Sequence, residues 1–324
     1  MRTLPVLILS GLLAGCAAEA VSQTETPVAR ASGALDCDAA SDAVERQVCA
    51  DPELLALDRR VADLWTRVRA RSGRPATLAL EHDLFLLDRR AGEIDWDAGG
   101  ETRRPRDAEE LRQFHDDYIR SLEAELRRAE TMPESAPLSA LAGDCIGAAL
   151  NQCSVPVAGY LNGEDDRRLA WQIQDGVTEE DGLSAGFVLF EIAGDRMRPV
   201  GWAYEGVTYA APSLFESEYG TFVVVPGRYG GTGDHNADVL YRLDEGGLTE
   251  IEMTSWWSTL DARLPEGLGV WKGVDYRWPD FSAWTDLWRD SDGNCCPTGG
   301  EARLTFRVEG TSLTLTGVDA EVAD

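Results

Sequence analysis

The sequence predicts an α+β protein: a small antiparallel helical bundle, then an antiparallel β domain that is either a sandwich or a partly closed barrel. Three observations predict it. From Ser41 to about Glu130, apolar residues recur at the spacing of one helix face. Beyond "TMPESAPLSA" (Thr131 to Ala140) the pattern changes to short β-branched and aromatic runs separated by Gly, Asp and Asn. Six cysteines behind an apolar leader argue for disulfides and an oxidising compartment.

The leader comes first. Arg2 precedes an apolar run from Leu4 to Leu13. That run is shorter than the roughly 20 residues a membrane-spanning helix needs, and it fits the core of a secretory signal over residues 1–15. Leu13-Ala14-Gly15-Cys16 resembles a bacterial lipobox, which implies cleavage before Cys16 and acylation of that residue. The following residue is Ala17 rather than Asp. By analogy this favours an outer-membrane anchor facing the periplasm. Several acyl chains anchor stably where one does not. Residues 16–34 then read as anchor and flexible tether.

Residues 35–130 carry the helical pattern. Asp51-Pro52-Glu53 supplies an N-cap, a first-turn proline and a favourable charge. Leu54, Leu57, Val61, Leu64, Trp65 and Val68 then share a face, and Gly73 and Pro75 end that helix. A second stripe, Leu80, Leu84, Leu87, Ala91 and Ile94, is expected to face the core. "DAGGETRRPRD" interrupts it. The third stripe is Leu111, Phe114, Tyr118, Leu122 and Leu126. Residues 131–144 read as a linker. Residues 145–324 are the β domain, with strands in "FVLFEIAG", "TFVVVPG", "ADVLYRL", "ARLTFRV" and "SLTLTGV".

Charge excludes some partners. The formal net charge is −27, and the chain holds one lysine, Lys272. Nucleic acid is excluded, because phosphate binding needs clustered Lys and Arg. Residues 131–324 hold 32 acidic and 12 basic residues, so the acidity lies mostly in the β half. Such a surface repels anionic lipid headgroups and attracts basic partners. The membrane is expected to be reached through the lipid anchor alone.

Cys37, Glu45 and then "VCADPELLALDRRVADLW" resemble the N-terminal domain of the LprI-type lysozyme-inhibitor family. The match lies in Glu45, Val48, Cys49, Asp51, Pro52, Leu54, Leu57 and Asp58. "LEHDLFLLDRRAGE" and "YIRSLEAEL" stand where that family has its second and third helices. Members often carry another cysteine pair near the joint between those helices; this chain has none there. The resemblance covers about residues 35–130. It implies a helical domain, no enzymatic activity, and a basic protein such as lysozyme as partner. A Cys37–Cys49 bond would close a short loop in front of the long helix and contribute about 3 kcal/mol. The loop Asp38–Val48 and the joint Asp97–Arg106 are the candidate inhibitory tips.

Other motifs point elsewhere. "GLSAG" (Gly182 to Gly186) matches a nucleophile elbow but lacks the strand before it and the helix after it. Asp290, Asp292, Asn294 and Glu301 occupy calcium-loop positions one, three, five and twelve. Cys295 stands where that loop needs glycine, so a turn with disulfides is the preferred reading. Asp234, Asn236 and Asp238 make a similar weak claim. Cys145, Cys153, Cys295 and Cys296 are expected to pair among themselves in one of three ways. Two bridges tying the start of the β domain to its last turn are preferred over a bond between neighbours. Trp256, Trp257, Trp271 and Trp278, with Trp284 and Trp288 nearby, are candidates for stacking on sugar rings if exposed. No cofactor or metal is expected. Three functions are in view: an envelope lipoprotein that binds protein, a cell-wall glycan binder using those tryptophans, or an envelope hydrolase.

Overall fold

Asp51 divides the first helical stretch in two. It ends α1 (Ala43–Ala50) and caps α2 (Pro52–Arg69), accepting from the N–H groups of Glu53 at 2.9 Å and Leu54 at 3.3 Å. The computed structural model describes residues 34–95, 102–162, 168–178, 182–206, 208–230 and 235–323. The leader, Cys16, most of the tether, positions 97–101 of the joint, and Asp234 lie outside them. Among the described residues no helix is long and apolar enough to cross a membrane.

Helix α3 (Pro75–Ala91), a hairpin of β1 (Glu93–Asp95) and β2 (Thr102–Arg104), and α4 (Ala108–Thr131) complete the helical part. Its core joins Val61, Leu64, Trp65 and Val68 of α2 to Leu78 and Phe85 of α3 and to Ile119, Leu122 and Leu126 of α4. The expected faces of α2 and α4 are the buried ones. The expected face of α3 is not. This helix buries Leu78, His82, Phe85 and Arg89 instead, while Leu84 and Leu87 are exposed. The inward polar groups are satisfied: His82 Nδ1 lies 3.1 Å from the Tyr118 hydroxyl, and Arg89 bonds Asp58.

The β half begins with β3 (Ala136–Pro137), β4 (Asn151–Asn162), β5 (Arg168–Thr178), β6 (Gly182–Ala193) and β7 (Arg196–Ala203). They form a first sheet in the order β3-β7-β6-β5-β4. Then come β8 (Thr208–Tyr209), β9 (Ser213–Ser217), β10 (Gly220–Val225), β11 (Gly227–Arg228), β12 (Val239–Asp244) and β13 (Gly247–Ile251). Of these, β13-β12-β10-β9 form a middle sheet, and β8 pairs with β11. Last come β14 (Leu268–Gly269), β15 (Asp275–Arg277), β16 (Ser282–Arg289), β17 (Gly300–Glu309) and β18 (Ser312–Val322). They form a third sheet, β14-β16-β17-β18, with β15 also on β16. All strand pairs are antiparallel, so the fold class is α+β as the sequence predicts.

Strand β10 shows how the sheets stack. Successive side chains point to opposite faces. Phe222 and Val224 share a core with Trp256, Leu287 and Leu304 of the third sheet and its cover. Val223 and Val225 share another with Trp171, Phe187 and Leu189 of the first sheet. The middle sheet is thus buried on both faces, which is why "FVVV" is an unbroken apolar run. The outer face of the first sheet is covered by Leu141, Ile146 and Leu150. The stretch read as a linker is therefore packed: Ala136 and Leu141 are buried, and β3 pairs with β7.

The helical bundle is tied to the middle sheet at one place. Arg74, at the N-cap of α3, makes no side-chain cap. Glu250 of β13 supplies it from across the junction. Its carboxylate accepts the Ala76 N–H at 2.6 Å, the Thr77 N–H at 3.2 Å and the Thr77 hydroxyl at 2.6 Å. A carboxylate at a helix N-terminus also meets the positive end of the dipole. The Tyr241 hydroxyl donates to the Gly73 carbonyl at 3.1 Å, and Arg74 pairs with Glu205. A Cβ on Gly73 would lie 2.6 Å from the Trp202 backbone nitrogen, so glycine is required there.

Candidate functional site

Of the residues singled out in the first helical stretch, Glu45, Val48, Leu54 and Asp58 are buried, Cys49, Asp51 and Leu57 are half-buried, and Pro52 is exposed. Glu45, 3% exposed, closes a capping box with Asp42. It accepts from the Ser41 N–H at 2.7 Å, the Ser41 hydroxyl at 3.0 Å and Arg90 at 2.7 Å. Burial opposes ionisation of Glu45, but these bonds outweigh it and hold the carboxyl at about 2. Asp58, also buried, accepts from the Leu35 N–H at 2.7 Å and from Arg89. His115 is fully buried, with Nδ1 2.7 Å from the Leu111 carbonyl. Burial is the main cause that lowers its pKa.

Cys37 and Cys49 are bonded and fix the short 3-10 turn Cys37–Ala39 against the end of α1. Within the loop they close, Val44, Glu45 and Val48 are buried, while Asp38, Ala39, Ser41, Ala43 and Arg46 are exposed. At the joint, Arg104 pairs with Glu110 and Arg106 lies 4.2 Å over the Phe114 ring. Each candidate tip thus combines residues that hold the bundle with exposed ones, Arg103, Arg104 and Pro105 at the joint.

In the β half the cysteines pair with near neighbours, Cys145 with Cys153 and Cys295 with Cys296. This corrects the expected ties between the two pairs. Cys153 lies on β4, the edge strand of the first sheet. Cys295 and Cys296 lie in the β16–β17 turn of the third sheet, with the middle sheet between. The calcium reading of that turn has a simpler replacement. Asp292 accepts the Arg289 N–H at 2.7 Å, the Thr298 N–H at 2.9 Å and the Thr298 hydroxyl at 2.7 Å. These bonds lower its pKa and use the carboxylate as a turn clasp. Asp290 is exposed beside it, and Glu301 stands on β17 opposite Asp286. Asn294 is exposed in the turn. Asn236 bridges Asp238 and both backbone groups of Val274. No group of three or more metal-ligating side chains gathers among the described residues. Ser184 of "GLSAG" lies inside β6 and donates to the Tyr204 carbonyl, so it is not at a strand-to-helix turn.

Of the four tryptophans proposed for glycan stacking, Trp256 is buried and Trp257, Trp271 and Trp278 are half-buried. Trp256 is 2% exposed and stacks on half-buried Trp257. Trp278 stacks against Phe215 and Tyr276. Trp271 stacks on Trp288. Each stack buries aromatic surface against the protein itself. Trp284 is the exception, 39% exposed on β16. It alternates outward with Asp286 while Ala283, Thr285 and Leu287 are buried. A groove of about 600 Å³ runs past it, lined also by Lys272, Arg228, Arg277, Asp275 and Glu301. Arg277 and Arg228 lie 3.2 and 4.0 Å from the Asp275 carboxylate. Lys272 is half-buried and makes no ion pair among the described residues. An aromatic ring amid cations and carboxylates suits stacking and hydrogen bonding rather than covalent chemistry. Sequence reasoning missed this convergence. The available signal was a tryptophan on the outward register of an alternating strand.

The chain matches no family model, no curated protein and no solved structure.

Proposed function

We propose that this chain is an envelope lipoprotein, anchored at Cys16, whose folded part captures a basic protein, a C-type lysozyme above all. One observation carries the reading: the surplus of acid is left to the surface. The chain has 57 acidic and 30 basic residues. Many of its arginines are already paired, as Arg60, Arg74, Arg89, Arg90, Arg112 and Arg198 are. The remaining field steers basic partners toward the protein and raises encounter rates, with the effect falling as salt rises. The helical part fits the family resemblance in having several helices behind a stapled turn. The test uses the lipid-free chain from Ala17 onward. It should bind lysozyme at low salt and slow its lysis of cell walls, and added salt should weaken both. If it binds lysozyme no better than an unrelated protein of equal charge, the reading is refuted.

The groove at Trp284 favours a second reading, a glycan-binding lipoprotein. Soluble cell-wall fragments should then quench tryptophan fluorescence in the wild type and not in Trp284→Ala. Equal quenching in both would remove this reading.

A further inference from the structure

Helix α3 has a mixed face that is buried in the bundle and an apolar face that is largely open to solvent. With about 3.6 residues per turn, Leu80, Leu84, Leu87 and Ala91 stand at i, i+4, i+7 and i+11 on the side opposite Leu78, His82, Phe85 and Arg89. The second set is buried in the bundle. The first faces solvent: Leu84 is 48% and Leu87 60% exposed, Ala91 is exposed, and Leu80 is half-buried. Scattered exposed leucines are ordinary. Four apolar residues aligned on one helix face form a stripe of the kind that seats in a partner's groove.

The rim of the stripe is acidic. Glu81 and Asp88 border it on one side and Asp83 on the other, all exposed. The neighbouring cations are Arg103, 3.8 Å from Asp88, and Arg74, which acts on Glu81 from the start of the helix. Arg90 turns its guanidinium inward to Asp42 and Glu45. Charge therefore selects the occupant. A second copy would set like rims against each other, on molecules that each carry −27. A lipid surface calls for Lys and Arg flanking the apolar residues, the reverse of what is found. We infer that the outer face of α3 is the surface on which this chain docks a basic protein, with Leu84 and Leu87 entering an apolar groove that is flanked by Lys or Arg on the partner. The inference rests on the capture reading above and names a contact surface apart from the stapled loop.

The test uses the full lipid-free chain, in wild type and Leu84→Ser/Leu87→Ser, with two probes: lysozyme and a cationic amphipathic peptide of leucine and lysine. Both side chains are exposed, so the variant should melt with the wild type. It should bind each probe at least about tenfold more weakly, as loss of a central apolar anchor does. Asp83→Asn/Asp88→Asn should bind with a shallower salt dependence. Equal binding by wild type and the serine variant would overturn the docking face even if lysozyme capture stands. Leucine-dependent binding of the peptide without binding of lysozyme would keep the face and remove the lysozyme reading. Failure to bind either probe would overturn both. Self-association, or binding to anionic vesicles, that is abolished by the serine substitutions would overturn the assigned occupant.

Discussion

Removing the Glu250 carboxylate should loosen the helical bundle from the β sheets. Glu250→Ala leaves two backbone N–H groups and one hydroxyl at the start of α3 without the acceptor they now share. Losing an N-cap costs about 1 kcal/mol, and each buried donor left unpaired adds at least about 1 kcal/mol. The substitution should therefore cost about 4 kcal/mol. Glu250→Gln separates hydrogen bonding from charge. Its carbonyl oxygen can accept both N–H groups, and its amide can donate to the Thr77 hydroxyl. It forgoes about 0.5 kcal/mol of charge–dipole attraction but avoids burying an ionised group, so it should stay within about 1 kcal/mol of wild type. Burial raises the pKa of Glu250 despite the pull of Arg74. The folded state then holds its proton to higher pH than the unfolded state does. Stability from this group is greatest below the unfolded carboxylate pKa and falls as pH rises through the folded one, so wild type should gain on the Gln variant as pH drops. Urea unfolding should be followed by far-ultraviolet circular dichroism for the helices and by tryptophan fluorescence of a Trp65→Phe background, in which eight of the nine remaining tryptophans lie in the β half. In the Ala variant the helical signal should be lost first. If both probes coincide and the Ala variant lies within about 0.5 kcal/mol of wild type, Glu250 is not the tie.

Two further outcomes are expected. Glu45, held at about 2, has a depressed folded pKa, so its contribution is complete above the unfolded value near 4.5 and disappears as pH falls from there to about 2; thermal melts of Glu45→Gln should lack this acid slope and should show a loss of about 2–3 kcal/mol at neutral pH. Replacing Cys37 and Cys49 by serine should cost about 3 kcal/mol, whereas replacing Cys295 and Cys296, which enclose no loop, should stay within about 0.5 kcal/mol. A non-reducing peptide map that joins Cys145 or Cys153 to Cys295 or Cys296 would contradict the pairing.

Helix boundaries and the change from helix to strand were legible because Asp51-Pro52, Gly73-x-Pro75 and the "TMPESAPLSA" stretch are local signals. The face of α3 was not legible. Hydrophobic periodicity favoured Leu80, Leu84 and Leu87, and it discounted a face containing His82 and Arg89. That face can go inside because Tyr118 and Asp58 wait for those two polar groups, and neither partner is near in sequence. The order of the sheets was hidden for the same reason. "FVVV" announces burial but not that two different sheets share the strand. For the tryptophans, composition gave the cluster; exposure depended on which rings stack on each other, a matter of tertiary contacts. Lys272, Arg228 and Trp284 meet only because β11, β16 and the segment before β15 converge.

The cap that Glu250 provides has a consequence for how such proteins are divided. The helical part of the chain ends with α4 at Thr131, but the first turn of α3 is completed by Glu250, 174 residues after the Ala76 N–H that it accepts. Chain order and cooperativity therefore draw different borders in this molecule. The helical part trades part of its autonomy for a fixed bearing on the sheets. Related helical modules joined to other partners should show a different acceptor, or a Ser, Thr, Asp or Asn of their own, where this chain has Arg74.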